Sequence, residues 1–237
     1  MNFKANSADF LGRWREIVSD PLNLLIKRDA NSGLIDEDGF VYLHNGVKVP
    51  LTGCNSYYEE FSNVLVLNRG VHEPLEEFCF QETLKKIREP KPLMIELGSY
   101  WAHYSMWFQK QFPDANCFMV EPDSIRLEAG RSNFEANNFS KGQFILSKVS
   151  NDGFNLDTFY KEKQIEKVTI LHSDIQGWEL EMLDGAKSFL GNQAAEYIFL
   201  STHGQKIHEE AIKILESYDY IIAVSSDFDT FLLPIWR

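Results

Sequence analysis

Apolar residues in this chain follow two rhythms. From Leu93 onward, runs that are apolar on consecutive positions recur at Leu93–Leu97, Cys117–Val120, Phe144–Leu146, Val168–Leu171, Tyr197–Leu200 and Tyr220–Val224. Strands buried on both faces have this pattern. Helically spaced stretches separate most of them. Tyr104, Trp107, Phe108 and Phe112 mark one, Met182, Ala186, Phe189 and Leu190 another, and Ile207, Ala211, Ile214, Leu215 and Tyr218 a third. Asp123 or Ser124 is placed to cap the helix after the second run. Such alternation means βαβ crossovers and a parallel sheet. Only a short turn, Ser226–Asp229, separates Tyr220–Val224 from Phe231–Ile235, so the last strand is expected to run antiparallel to its neighbour. Pro234 places a bulge or margin in that strand. The expected fold is α/β: a Rossmann-like sheet, mostly parallel, with an antiparallel C-terminal strand.

The first 80 or so residues read differently. Ser7 to Val18 predicts a short helix stopped by Asp20-Pro21. Phe40–Leu43, the turn His44-Asn45-Gly46 and Val47–Val49 predict a hairpin, with Asn-Gly supplying a type I′ turn. A helix begins at Pro74, where Glu76 and Glu77 favour the helix dipole. The chain therefore divides into a helix-and-hairpin extension over 1–80, a lid or platform, and an α/β domain over 81–237.

Composition narrows the partners. The formal net charge is −12 over 237 residues, without a lysine- or arginine-rich run. Nucleic acid and anionic membrane surfaces are therefore not expected partners. Hydrophobic residues at 44% provide for a sizeable core. Cys54, Cys79 and Cys117 share no CxxC spacing and read as reduced thiols. The N-terminal stretch lacks the apolar run of a signal peptide, and no run reaches membrane-spanning length, so a cytoplasmic protein is expected. Oligomeric state leaves no signal.

The chemistry centres on KPLMIELGSYWAHYSMWF, Lys91 to Phe108. An apolar run meets Glu96 and Gly98, and a helix follows. Strand, glycine turn and helix aim backbone N–H groups and a positive dipole end at a ligand. Glu121 closes the next run, where a carboxylate reaches ribose hydroxyls. A nucleoside cofactor fits both. Two later strand ends carry His172, Asp174 and His203. His172 and Asp174 are two apart and share a face of an extended segment. A histidine base oriented by Asp174 is one use of the three, and a divalent-metal site is another. The bland alternative has Asp174 capping the helix near Gly177 and both histidines in structural hydrogen bonds. His103 opens a helix and Glu179 lies in the first turn of another, both ordinary places for such residues.

ELGSYWAHYS, Glu96 to Ser105, resembles motif I of class I S-adenosylmethionine-dependent methyltransferases in its FkbM-family form. LHSDIQGWELEMLDGA, Leu171 to Ala186, is similar to that family's second signature. Tyr100, Ala102 and His172 stand where the family more often has asparagine, glycine and lysine. The resemblance implies S-adenosylmethionine as cofactor, held by Gly98 with Ser99 and Tyr100 of the same turn. Glu96 and Glu73 would serve the methionine end, Glu121 the ribose, Lys148 the adenine surroundings, and Asp174 the second-signature side. It also implies methylation of a hydroxyl on a small molecule or sugar. A nicotinamide-dependent oxidoreductase shares the nucleotide site, but the chain lacks GxGxxG. A non-catalytic cofactor-binding protein is the third reading.

Overall fold

The computed structural model describes residues 7–226. Helix α1 (Ser7–Ser19) leads into a 3₁₀ turn at Pro21–Leu24, where Asp20 accepts the Leu22 N–H at 2.8 Å. Strands β1 (Phe40–Tyr42) and β2 (Lys48–Pro50) form the expected antiparallel hairpin. Its turn is not type I′: Gly46 has φ +75° while Asn45 is not left-handed. Gly46 N–H donates to Leu43 O and Leu43 N–H to Val47 O, so the turn closes with a glycine bulge. The Asn45 side-chain oxygen accepts from Val47 N–H, a local bond that needs no positive φ at Asn45.

Helix α2 (Asn63–Leu67) and α3 (Pro74–Leu84) follow, and α3 has Pro74 in its first turn. Strand β3 (Leu93–Leu97), helix α4 (His103–Gln111), strand β4 (Asn116–Glu121), helix α5 (Ser124–Ala136) and strand β5 (Gly142–Leu146) make one half of the sheet. Asp123 caps α5 through Ile125 and Arg126 N–H. Helix α6 (Leu156–Glu162), strand β6 (Val168–Ser173), helices α7 (Glu179–Asp184) and α8 (Lys187–Gly191), strand β7 (Ala195–Leu200) and helix α9 (Gln205–Ser217) make the other. Met182 and Phe189 thus lie on two helices rather than one. The break is at Gly185, whose carbonyl leaves the helix to accept Asp157 N–H.

All five strands of the large sheet are parallel, in the order β5-β4-β3-β6-β7. Side-chain alternation splits the core. Met94, Cys117, Met119 and Ile170 face one layer, which also holds Val41, Leu43, Phe80 and Trp107. Ile95, Leu97, Val120 and Leu171 face the other, with Met182, Phe189 and Leu215. The hairpin therefore shares a core with one face of the sheet. Tyr220–Val224, expected as a sixth strand, has no ladder partner among the described residues and forms none. Its expected partner, Phe231–Ile235, lies outside the described residues. No helix among the described residues is long and apolar enough to cross a membrane.

Candidate active site

The chain reverses its direction of travel across the sheet between β3 and β6, the switch point where α/β sheets hold ligands. Gly98 follows β3 and Asp174 follows β6, continuing the ladder by donating its N–H to Leu97 O at 2.9 Å. Gly98 has φ +74°, and a Cβ there would lie 1.9 Å from Asp174 O, so only glycine lets the two loops meet. Gly98 and Ser99 N–H both turn back to Val120 O. Beside them opens a cavity of about 370 Å³.

Gly98, Ser99, Tyr100, Glu73, Glu96, Glu121, Lys148, His172 and Asp174 all line this cavity. Glu121 is fixed in advance: one carboxylate oxygen accepts Tyr100 N–H at 3.2 Å and the other Asp123 N–H at 3.1 Å. Burial pushes its carboxyl above the usual range, against those two bonds. Glu96 accepts Ser105 N–H in the first turn of α4, and burial raises its carboxyl also. Arg126 lies over the Tyr100 ring, 5.0 Å from its centroid. Lys148 Nζ sits 3.1 Å from the centre of the Trp178 ring at the rim. The extension supplies Tyr57, Tyr58 and His72 to the wall.

The second-signature residues do not converge as three. His172 pairs with Glu96 across β3 and β6, and its Nε2 lies 2.6 Å from Glu76 Oε1. Glu76 is further held by Ser201 Oγ at 3.0 Å. Burial opposes a charge on His172, but Glu76 outweighs it and raises its pKa to about 9. His172 is therefore an imidazolium at neutral pH and a poor base. Asp174 and His203 do meet, with Oδ1 3.3 Å from Nε2, and Glu179 Oε1 lies 2.7 Å from His203 Nδ1. The bond to Glu179 comes first in raising the His203 pKa. His203 does not line the cavity. A metal held by His172, Asp174 and His203 has no support, because Glu76 occupies His172 and those three do not form a ligand cluster. Asp174 does not cap the helix near Gly177; Glu179 accepts Gly177 N–H itself.

Glu76 and Glu77 escape notice in the sequence because acids in a first helical turn need no further reason. Both point inward instead, Glu76 to His172 and Glu77 to His44 and His72. Glu73 accepts the Tyr104 hydroxyl at 2.9 Å, and burial raises its carboxyl to about 7.

The family model described as the methyltransferase FkbM domain matches residues 127–222. Over those residues the chain is similar to that family. The match begins after Gly98 and Glu121 and takes in His172, Asp174 and His203. No curated protein matches the chain. Among solved structures, precorrin-6y C5,15-methyltransferase of Geobacter metallireducens GS-15 is 16% identical, with TM-score 0.47, over 62% of this chain and 73% of that one. A SAM-dependent methyltransferase of Agrobacterium tumefaciens is 11% identical, with TM-score 0.44, over 62% and 51%. M. capricolum TrmK, solved with S-adenosyl-homocysteine, is 17% identical, with TM-score 0.43, over 64% and 63%. The chain thus spans less than two thirds of the last two proteins.

Proposed function

We propose that the protein is an S-adenosylmethionine-dependent methyltransferase acting on a hydroxyl of a small molecule or sugar. The observation that carries this reading is that the Gly98 turn and the Glu121 carboxylate share one cavity with Glu73 and Asp174. Its volume of about 370 Å³ is that of a small-molecule site. The residues fit the cofactor. A carboxylate offers about four lone-pair sites, and the two backbone bonds to Glu121 leave others for adjacent ribose hydroxyls. Glu96, Glu73 and Asp174 surround the place where a cationic ammonium and sulfonium would be stabilised. Lys148 and Trp178 would border the adenine.

The cofactor supplies an electrophilic methyl group, and alignment with the acceptor oxygen does most of the remaining work. Glu73 accepts the hydroxyl proton, because a carboxyl raised to about 7 is part-ionised at neutral pH. Bound S-adenosylmethionine would give its methyl group to the acceptor oxygen, and Glu73 would hold the proton that the hydroxyl loses. His172, as an imidazolium, supplies positive charge beside the nascent oxyanion. His203 positions Asp174 from outside the cavity. Residues 1–80 act as a platform, since Tyr57, Tyr58, His72 and Glu73 form part of the wall. The protein is incubated with methyl-labelled S-adenosylmethionine and a panel of polyols, sugars and phenols. Transfer of label to an ether is expected, whereas absence of S-adenosylhomocysteine binding in calorimetry refutes the reading.

A further inference from the structure

Behind the cavity wall lies a polar cluster that methyl transfer does not use. His44 sits in the hairpin turn, Glu77 on α3 and His103 at the first position of α4. One side-chain ligand atom from each lies within 4.8 Å of the other two. His44 and His103 are each 1% exposed and Glu77 is 0% exposed.

Pairing within the cluster leaves His103 unaccounted for. His44 Nε2 and Glu77 Oε2 stand 2.8 Å apart as a buried ion pair. Both ring nitrogens of His103 are buried without a partner. Buried polar atoms are normally satisfied, so the His103 ring beside this ion pair calls for a missing partner. Glu77 Oε1 is differently occupied: it accepts the backbone N–H of His72 and Glu73 and touches His72 Nδ1 at 2.6 Å.

We propose that His44, Glu77 and His103 hold one divalent transition-metal ion, which ties the N-terminal hairpin to α3 and α4. Two imidazoles and one carboxylate suit zinc, cobalt or nickel and disfavour calcium and magnesium. Three protein ligands would leave a further position open. The surrounding shell is aromatic: Trp101 stacks on His103 at 5.2 Å and Trp107 meets His44 edge-on at 4.5 Å. Gly70 locks the hairpin side, because a Cβ there would lie 2.2 Å from His44 N. These contacts hold both rings in fixed orientations.

The full chain is stripped with dipicolinate, reloaded with Zn²⁺ or Co²⁺, and dialysed. Elemental analysis should give about one equivalent per chain. The cobalt form should show the visible d–d bands of a low-coordinate nitrogen and oxygen site. Chelation should lower Tm by roughly 5–10 °C, and His103→Leu should lose the metal, the bands and the chelation shift. Less than a tenth of an equivalent (order of magnitude, ~0.1) in reloaded wild-type protein overturns the proposal. So does stoichiometric metal retained by folded His103→Leu. Should that variant not fold, the wild-type cobalt spectrum decides, and a loaded protein showing only the weak bands of six-coordinate cobalt overturns the site.

Discussion

Replacing Glu121 by Gln tests the cofactor geometry most directly. The carboxylate is 4% exposed and already held by Tyr100 and Asp123 N–H, so it meets a ligand without reordering. A charge-assisted hydrogen bond is worth about 1.5–3 kcal/mol. At about 1.4 kcal/mol per decade, that is roughly 10- to 150-fold in affinity. Gln keeps the size, but its amide has one acceptor oxygen where two backbone donors now point. Either the NH₂ group faces an N–H or the side chain turns away, and both spoil the ribose contact. Glu121→Ala is a worse probe, because it orphans both backbone donors at about 1–3 kcal/mol each. Calorimetry with S-adenosylhomocysteine should therefore show affinity weakened about 10- to 100-fold in Glu121→Gln, with the fold retained by circular dichroism. A second readout is pH. Burial raises the Glu121 carboxyl, so acidification should protonate it early and weaken wild-type binding, while the variant stays flat. Affinity within about twofold of wild type, in a folded variant, refutes the assignment of Glu121 to the ribose.

Gly98→Ala places a Cβ 1.9 Å from Asp174 O at φ +74°. It should cost at least about 3 kcal/mol, or about 6–12 °C in Tm, and a melt within 2 °C (about the noise of such a comparison) would contradict the close approach. His172 has its pKa raised from 6.5 to about 9. Its contribution to stability is thus complete below pH 6.5 and lost as pH rises through about 9, and His172→Gln should flatten wild-type melts across that window. Glu73→Gln should lower turnover of any acceptor found by about 10²- to 10⁴-fold at saturating cofactor. Turnover equal to wild type would move the base elsewhere.

The β3, β4 and β6 strands and the Gly98 turn were legible because they rest on local rules. Consecutive apolar residues mark a doubly covered strand, and a glycine after an acid marks a turn whose φ only glycine adopts at no cost. Asp123 was equally readable, as a cap acts on the next two residues. The rest depends on distance. Whether His172 meets His203 or Glu76 is decided by α3, almost a hundred positions away along the chain, and Glu76 carries no mark that tells an inward acid from a dipole-compensating one. The hairpin turn illustrates the same limit on a smaller scale. Asn-Gly permits a type I′ turn, but Asn45 bonding Val47 N–H favours the bulged alternative, and both satisfy the local rule. The apparent i, i+4, i+7, i+8 continuity over Met182–Leu190 failed because Asp157 takes the Gly185 carbonyl and caps Ser188 and Phe189 N–H from another element.

Backbone strain follows the same border. Tyr58, Tyr100 and Gln176 line the cavity with positive φ, and Ala102 adjoins it at φ 62°. Non-glycine residues hold such angles at about 1 kcal/mol or more each, so the surrounding contacts must outweigh that cost. At Tyr100 they are visible: its hydroxyl donates to Ser56 O and accepts Tyr58 N–H, while its own N–H is held by Glu121. One tyrosine therefore couples the platform loop to the carboxylate assigned to the ribose. Tyr100→Phe removes the link to residues 56 and 58 and keeps the link to Glu121. If the platform presents the acceptor, this variant should raise KM for the acceptor while S-adenosylhomocysteine affinity changes by less than about threefold. A loss of cofactor affinity instead would mean that the 56–58 loop holds the nucleoside, and the wall would have to be reassigned from acceptor to cofactor.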